Sequence, residues 1–309
     1  VLDIRKEHAI EDLLGIKQHV KDAVEKIETI FNNPNAIEGI KTGYDKLDRM
    51  TTGLKGGEMI VVAARPSMGK TSLAMNIVEH IAVKGGLPVG VFSLEMSAES
   101  LVMRMICSMA RINLRDLHDG LLQERDFPRI VHASGGLAAS ALHIDDSGGL
   151  SIQQLRARAR RMSQQHGIKL FVIDYLQLVN STSRRGAESR QREIAEISGG
   201  IKAMAKELGV PVIVRSQLNR ELEKDKNRTP RLSDLRESGS IEQDADMVMF
   251  LFRPEVYKIE DEEGNTQEGV AEVIIGKHRN GPTGSVFLTF LGQYSRFENP
   301  ELYRDPLEI

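Results

Sequence analysis

Residues 64–71 have the types and the order of a loop that binds phosphate groups. They read Ala-Arg-Pro-Ser-Met-Gly-Lys-Thr and follow the apolar run 59–63. A strand, a Gly-containing turn and the start of a helix expose backbone N–H groups to phosphates; Lys70 would reach the β- and γ-phosphates and the Thr71 hydroxyl would bind Mg²⁺. The alternative is an ordinary strand, turn and helix, and Ala64 stands where the motif has its first glycine. The predicted nucleotide-binding residues are Arg65, Pro66, Ser67, Met68, Gly69, Lys70, Thr71 and Ser72.

Two carboxylates and one amide follow apolar runs, where a hydrolase of this kind needs them. Asp174 comes directly after 171–173, Glu95 after 92–94, and Gln217 ends a third run. Ligands of open parallel sheets lie at the carboxyl ends of strands, so we expect Asp174 to bind Mg²⁺, Glu95 to activate water and Gln217 to contact the γ-phosphate. The alternatives are a strand cap, a surface Glu at the start of a helix, and simple strand-end polarity.

Three further segments are basic. Segments 180–192 and 219–239 follow predicted strands and carry several Arg and Lys residues without aromatic side chains, which favours contact with nucleic acid phosphates. The alternative is solvated charged loops. Lys277 and Arg279 alternate with His278, so both cations face one side of an extended hairpin. They would suit arginine fingers that act on a neighbouring subunit, but periodicity alone favours charges that protect an edge strand.

Composition narrows the class of protein. The chain has 309 residues, of which 40% are hydrophobic and 28% charged, and a net charge of −3. A nucleic acid site must therefore be a local cluster. The one cysteine, Cys107, excludes a disulfide framework and a Cys-rich zinc site, and we expect it in the core. No apolar stretch approaches the ~20 residues that span a bilayer, so we expect a cytoplasmic protein without a membrane segment.

Apolar runs and helical patterns alternate from residue 58 onward, which predicts an α/β fold with a mostly parallel sheet covered on both faces. Runs 270–275 and 285–290 flank Asn280-Gly281-Pro282 and predict a hairpin at the sheet edge. A helical pattern over 8–31 precedes this core and is broken at Asn32–Asn35. The predicted strands are 59–63, 89–94, 142–144, 170–173, 210–214 and 247–252, and the predicted helices are 70–83, 98–110, 151–165 and 190–208.

Long, ordered segments resemble the C-terminal ATPase domain of DnaB-type replicative helicases of bacteria and their phages, from about residue 10 to the end. The segments that carry the resemblance are 43–48, 63–71, 92–97, 172–178, 216–220, 234–246 and 277–282. The family commonly carries Ala at the position of Ala64, so that departure is accounted for.

The resemblance implies a RecA-like ATPase domain over 36–309, preceded by a linker helix within 1–35 that docks on the adjacent subunit. It implies a homo-hexameric motor that uses ATP and Mg²⁺ to travel 5′-to-3′ on single-stranded DNA and unwind duplex at the replication fork, with primase and a helicase loader as partners. It makes Lys277 and Arg279 the fingers that act in trans, against the interpretation from periodicity. The catalytic set is then Glu95, Lys70, Gln217, Lys277 and Arg279; the metal ligands are Thr71 and Asp174; the DNA-binding residues are Arg236, Glu237, Gly239, Arg184 and Arg185.

The chain departs from the family in three respects. Arg215 stands where an apolar residue is usual, at the end of a buried strand. Gly199-Gly200 replaces an Arg and a bulkier residue, and each glycine inside a helix costs about 1 kcal/mol relative to Ala. The N-terminal collar domain of the family is absent, so we expect a piece of a longer protein. A filament-forming RecA-like recombinase and an ATPase that switches protein assembly without nucleic acid are the alternatives.

Overall fold

The computed structural model describes residues 15–32, 37–181, 190–218, 228–257 and 268–300. The chain divides into two compact units, Val1–Glu38 and Gly39–Ile309. The described part of the first unit is helix α1 (Ile16–Asn32). Its described apolar side chains are solvent-exposed, and they recur at the spacing of one helix face: Ile16, Val20, Val24, Ile27 and Phe31.

The second unit is built on one nine-stranded sheet in the order β3-β2-β4-β5-β1-β6-β7-β8-β9. The first six strands in this order pair in parallel, and β7, β8 and β9 continue the sheet antiparallel. The strands are β1 (Met59–Ala64), β2 (Val89–Ser93), β3 (Leu142–Asp145), β4 (Leu170–Asp174), β5 (Val212–Gln217), β6 (Met247–Phe252), β7 (Val270–His278), β8 (Gly284–Leu291) and β9 (Arg296–Glu298).

Helices cover both faces of the sheet, as the alternating pattern predicts. Side chains of α3 and α4 share one buried apolar cluster with the sheet, and side chains of α7 and α8 share a second cluster on the opposite face. The helices are α2 (Asp45–Thr51), α3 (Lys70–Glu79, continued by a π-helical turn His80–Lys84), α4 (Ala98–Ala110), α5 (Leu114–His118), α6 (Phe127–Ala138), α7 (Ile152–His166), α8 (Arg190–Leu208) and α9 (Gly239–Asp244).

The predicted strands and helices of the core are confirmed within about three residues at each end. The pattern overlooked α2, α5, α6 and α9. Pro128 in the first turn of α6 and Gly135-Gly136 near its end obscure the helical signal. Cys107 is buried in a small cluster with Ala110 and Ala133, as expected, and burial raises the pKa of its thiol.

Gly200 has a packing function that its local cost conceals. A Cβ placed on Gly200 would lie 3.0 Å from the Ile152 Cδ1 and closer still to its Cγ1, so the glycine permits α8 to approach α7. A Cβ on Gly199 would meet only an Asp244 carboxylate oxygen at 4.0 Å. The expectation that both glycines merely weaken α8 is therefore incomplete, because only Gly199 is free of a close contact.

Candidate nucleotide site

The loop between β1 and α3 has the conformation of a phosphate-binding loop. Ser67 and Gly69 have φ values of 64° and 90°, and a Cβ on Gly69 would come within 3.0 Å of the Phe297 ring. Glycine is therefore required here by both backbone and space. Pro66 and Ser67 are exposed and Met68 is buried. The strand, loop and helix context that the motif needs is present.

Lys70 opens α3 and is buried against its own loop. Its Nζ donates hydrogen bonds to the backbone oxygens of Ala64 (2.8 Å) and Arg65 (2.7 Å). Burial lowers the pKa of Lys70 to about 8; the positive charge of Arg215 adds to this and the negative charge of Glu95 opposes it. A phosphate arriving at the loop would replace two neutral acceptors by a charged one.

The other residues of the loop differ in the groups that they can present to a ligand. The Arg65 side chain is 2% exposed and lies over the Tyr257 ring at 5.0 Å, so its backbone rather than its guanidinium faces the loop. Thr71 and Ser72 are half-buried in the first turn of α3 and line a small groove beside α4. Thr71 is thus partly accessible from solvent.

Asp174 and Glu95 lie at the carboxyl ends of neighbouring strands, as predicted. Ser93 pairs with Asp174 across β2 and β4, and the Leu94 N–H donates to the Asp174 carbonyl at 2.7 Å. The Asp174 side chain is fully buried, whereas that of Glu95 is 51% exposed. Neither carboxylate oxygen of Asp174 accepts a hydrogen bond from a described residue. A buried carboxylate without such a hydrogen bond, two strands from Thr71, provides oxygen ligands that suit Mg²⁺.

Arg215 reaches the same carboxylates from β5. Its Nη1 contacts the Asp174 Oδ1 and lies 3.8 Å from the Glu95 Oε2. The contact with Asp174 is ionic and lacks the alignment of a hydrogen bond. Burial lowers the pKa of Arg215 to about 10, Glu95 opposes this shift and Arg104 adds to it. The Arg215 guanidinium, which lies at the end of a buried strand, therefore belongs to the nucleotide site.

Gln217 ends β5 beside the start of the phosphate loop. It pairs in register with Ala64 and its side chain is exposed. Its backbone oxygen accepts a long hydrogen bond (3.5 Å) from the Gln177 amide, which also donates to the Ser216 hydroxyl at 3.1 Å. Gln217 thus joins Lys70, Glu95 and Asp174 at one edge of the sheet.

Lys277 and Arg279 lie at the opposite edge of the same sheet. Arg279 N–H donates to the Asp246 carbonyl, and Asp246 N–H donates to the Met59 carbonyl, so both cations are next to the start of β1. Lys70 follows the end of β1, a strand of six residues and about 20 Å. The two cations do point to one side, as predicted, because both donate to the last carbonyls of α9. The edge-strand interpretation is wrong, since β7 pairs with β6 and β8, and β9 lies beyond β8.

Comparison with known proteins assigns the family. Residues 39–299 match the family described as "DnaB-like helicase C terminal domain". The chain belongs to this family. It is 45% identical to the replicative DNA helicase DnaB of Geobacillus stearothermophilus over 96% of this chain, and 46% identical to the replicative DNA helicase DnaC of Bacillus subtilis (strain 168) over 92%. It spans 64% and 62% of the length of these relatives.

Solved structures agree with this assignment. One of them, a separate ATPase domain, superposes with a TM-score of 0.85 at 35% identity, covering 93% of this chain and 99% of that one. The structure of "A DnaB-Like Replicative Helicase And Its Interactions With Primase" superposes with a TM-score of 0.84 at 36% identity, covering 94% of this chain and 68% of that one. The expected RecA-like fold is therefore confirmed.

The DNA-binding residues expected for a DnaB-like domain are only partly within the described structure. Arg184 and Arg185 lie outside the described residues. Arg236 and Glu237 belong to a 3₁₀ segment, Leu232–Ser238, and nothing is described of their side chains; Gly239 follows at the start of α9 and is exposed. Buried Asp234 holds this segment, because it pairs with Arg228 and accepts from the Arg231 N–H at 2.7 Å.

Two supporting groups of the DnaB-like site escaped sequence reasoning. Buried Asp246 accepts from the Met59 N–H (2.8 Å) and the Lys202 Nζ and pairs with Arg279 at 3.2 Å. The Arg253 guanidinium lies 3.7 Å from the Phe290 ring centre and donates to the Ser67 carbonyl at 3.3 Å, which supports the phosphate loop. Asp246 directly precedes an apolar strand, a detectable signal, whereas Arg253 carries none.

Among the parts of the chain that the structure describes, no helix is long and apolar enough to cross a membrane. The same described residues contain no group of three or more His, Cys, Asp and Glu side chains arranged to hold a metal ion. A Mg²⁺ ion at Asp174 would therefore depend on the Thr71 hydroxyl and on ligand oxygens to complete its shell.

Proposed function

We propose that this chain is the motor of a replicative DNA helicase. It hydrolyses ATP with Mg²⁺, assembles as a homo-hexamer and travels 5′-to-3′ along single-stranded DNA, unwinding duplex at the fork. Membership of the DnaB-like family supports the proposal, as does a site whose two halves occupy opposite edges of one sheet.

The carboxyl ends of β1, β2, β4 and β5 form what we call the phosphate edge, and each residue predicted to act there has one task. Backbone N–H groups of 67–71 and the Lys70 ammonium bind the phosphates, and Thr71 and Asp174 hold the metal. Mg²⁺, when bound, neutralises charge on the phosphate oxygens. Glu95 is exposed enough to orient and deprotonate the attacking water. Gln217 contacts the γ-phosphate from the end of β5 and passes its loss to the segment that follows.

The observation that carries the proposal is the separation of Lys277 and Arg279 from Lys70. About 20 Å of strand lies between them, so one subunit cannot bring both sets to one γ-phosphate. A head-to-tail contact between copies of the chain would bring Lys277 and Arg279 of one copy against the phosphate edge of the next, and such contacts form a ring when the rotation between copies closes. The exposed apolar face of α1 docks on a neighbouring subunit within that ring.

Other partners follow from the same proposal. Arg236, Glu237 and Gly239, together with Arg184 and Arg185, line the channel for single-stranded DNA. Primase and a helicase loader bind the assembled ring, which acts at the replication fork in the cytoplasm.

A subunit-mixing experiment tests the trans arrangement. Chains with Lys70→Ala and chains with Arg279→Ala are each expected to lack ATP turnover that is stimulated by single-stranded DNA. After the two are mixed equally and reassembled, about one quarter of the subunit contacts join an intact Lys70 to an intact Arg279. We expect ATP turnover to return at those sites, while Arg279→Ala alone still binds nucleotide.

Native mass spectrometry with one chain isotopically labelled verifies that mixed rings form. The control mixes Lys70→Ala with Lys70→Ala/Arg279→Ala chains, which produces no complete site. Mixed rings without any recovered turnover would refute action in trans. Wild-type rings whose turnover is indifferent to single-stranded DNA would refute the DNA motor.

A further inference from the structure

Arg215 lies at the phosphate edge, and the predicted mechanism assigns it no task. We propose that its guanidinium is a resident counter-cation that competes with Mg²⁺ for Asp174 and moves to the phosphates when Mg²⁺ enters. The inference rests on the proposed nucleotide function and adds a metal-competition step to it.

Strand register places Arg215 at the metal ligand. Ile173 pairs with Val214 across β4 and β5, so the next residues, Asp174 and Arg215, are neighbours on the same face of the sheet. That face is the one covered by α3, the helix that begins with Lys70. Both side chains are buried, at 0% and 8% exposure, so their contact is weakly screened by solvent.

Arg215 supplies the positive charge that directly contacts buried Asp174. Lys70 lies near Arg215 and binds its own loop, and Arg104 acts on Arg215 from a distance. An apolar side chain at 215 would leave Asp174 without the cation that contacts it. Buried Asp174 would then attract Mg²⁺ without a competitor, whereas here a cation already lies against its Oδ1.

The Asp174 carboxylate and the Arg215 guanidinium can each bind another partner. Neither oxygen of Asp174 accepts a hydrogen bond from a described residue, and the Nε and Nη1 groups of Arg215 donate none to a described residue. The pair thus holds its charges together while leaving donors and acceptors unused. A metal ion satisfies the carboxylate, and phosphate oxygens accept the guanidinium N–H groups, so both partners gain by separating.

Opposite changes in two affinities follow from this arrangement. Arg215→Met removes the competitor, so the Mg²⁺ concentration that half-saturates nucleotide binding falls by about ten-fold or more. Without Mg²⁺ the guanidinium neutralises Asp174, so its removal leaves a bare carboxylate near the phosphates, and nucleotide affinity in EDTA falls by about ten-fold or more. Loss of a purely structural residue would not strengthen Mg²⁺ binding while it weakens nucleotide binding in EDTA.

The test measures binding of N-methylanthraniloyl-ADP by fluorescence anisotropy, with EDTA and across a MgCl₂ series, on assembled wild-type and variant proteins. Arg215→Lys, which keeps the charge, should remain within about three-fold of wild type in EDTA. Arg160→Met is the matched control. Arg160 also pairs with a carboxylate, that of Glu207, but it lies on α7 on the other face of the sheet, and its removal should change neither quantity.

A binding-independent measurement accompanies this test. Arg215→Met leaves buried Asp174 without a cation, so its thermal unfolding midpoint should fall, and MgCl₂ alone should raise that midpoint more than in wild type. If Arg215→Met does not fold, Arg215→Gln removes the charge but still donates a hydrogen bond, and the same comparisons apply.

An unchanged Mg²⁺ requirement in these variants overturns the inference, as does an equal loss of affinity with and without Mg²⁺. If the wild-type protein does not bind the labelled nucleotide at any Mg²⁺ concentration, the proposed nucleotide function is refuted, and so is the inference about Arg215. If the wild-type protein binds the labelled nucleotide and the variants behave like it, the inference about Arg215 is refuted but the proposed nucleotide function stands.

Discussion

Replacement of Gly199 and Gly200 by Ala should have effects of opposite sign, although the two are adjacent in α8. Each replacement gains about 1 kcal/mol of helix propensity. At Gly199 a new methyl group has space, because the nearest atom outside the helix is a carboxylate oxygen at 4.0 Å. At Gly200 the methyl group would overlap the Ile152 side chain of α7.

The structure sets the size of this contrast. Ile152 is 4% exposed within the apolar cluster of α7 and α8, so its side chain cannot swing into solvent. Overpacking of a core of this kind costs about 1–3 kcal/mol. Gly199→Ala should therefore raise the free energy of unfolding by up to about 1 kcal/mol. Gly200→Ala should lower it by about 1 kcal/mol after the propensity gain is counted.

Urea unfolding followed by circular dichroism measures both changes, with unaltered m-values as the check that the unfolded state is the same. The control removes the obstacle. Ile152→Ala alone should cost about 2–5 kcal/mol, but Gly200→Ala should stabilise the protein when added to it. A coupling of about 2 kcal/mol is expected between these two sites and none between Ile152 and Gly199. Equal stabilisation by both glycine replacements would refute the packing account.

Three further predictions concern charge. Because burial lowers the pKa of Lys70 to about 8, nucleotide affinity should fall about ten-fold per pH unit above that value, and nucleotide binding should take up a proton. Calorimetry in two buffers measures the proton uptake and the affinity. An affinity that does not change with pH contradicts the prediction. The unfolded chain keeps that proton to higher pH, so the nucleotide-free protein should gain stability as pH rises from about 8 towards 10.5. Asp246→Asn leaves Lys202 and Arg279 without their carboxylate partner, although the Lys202 Nζ still donates to the Gly57 carbonyl, and it should destabilise the protein by about 3 kcal/mol in urea unfolding, with part recovered by adding Lys202→Met. Arg236→Ala should weaken binding of all single-stranded sequences alike and lower the salt dependence of binding by about one unit per contact, measured by anisotropy against salt; a sequence-dependent loss would contradict a phosphate contact.

Local patterns were enough to predict the parallel core and most of the phosphate edge. The loop motif, the buried strands before Asp174 and Glu95, and the helical spacing of α8 all depend on residues that are close in sequence. Strand β9 carries no comparable signal because it has only three residues, and the interior position of β7 between β6 and β8 depends on strand pairing that residue spacing does not record.

The sequence by itself determined which groups this protein carries and at which strand ends they lie, since side-chain chemistry and periodicity are local properties. Tertiary structure alone determined which of these groups contact one another. Sheet register brought Arg215 to Asp174, which is 41 residues away; helix packing made Gly200 a close-contact site; and the antiparallel direction of β7 put Lys277 and Arg279 beside the start of β6, at the opposite edge from Lys70. The physical reason is that a pattern records which face of an element a residue occupies, whereas a partner depends on contacts between distant parts of the chain.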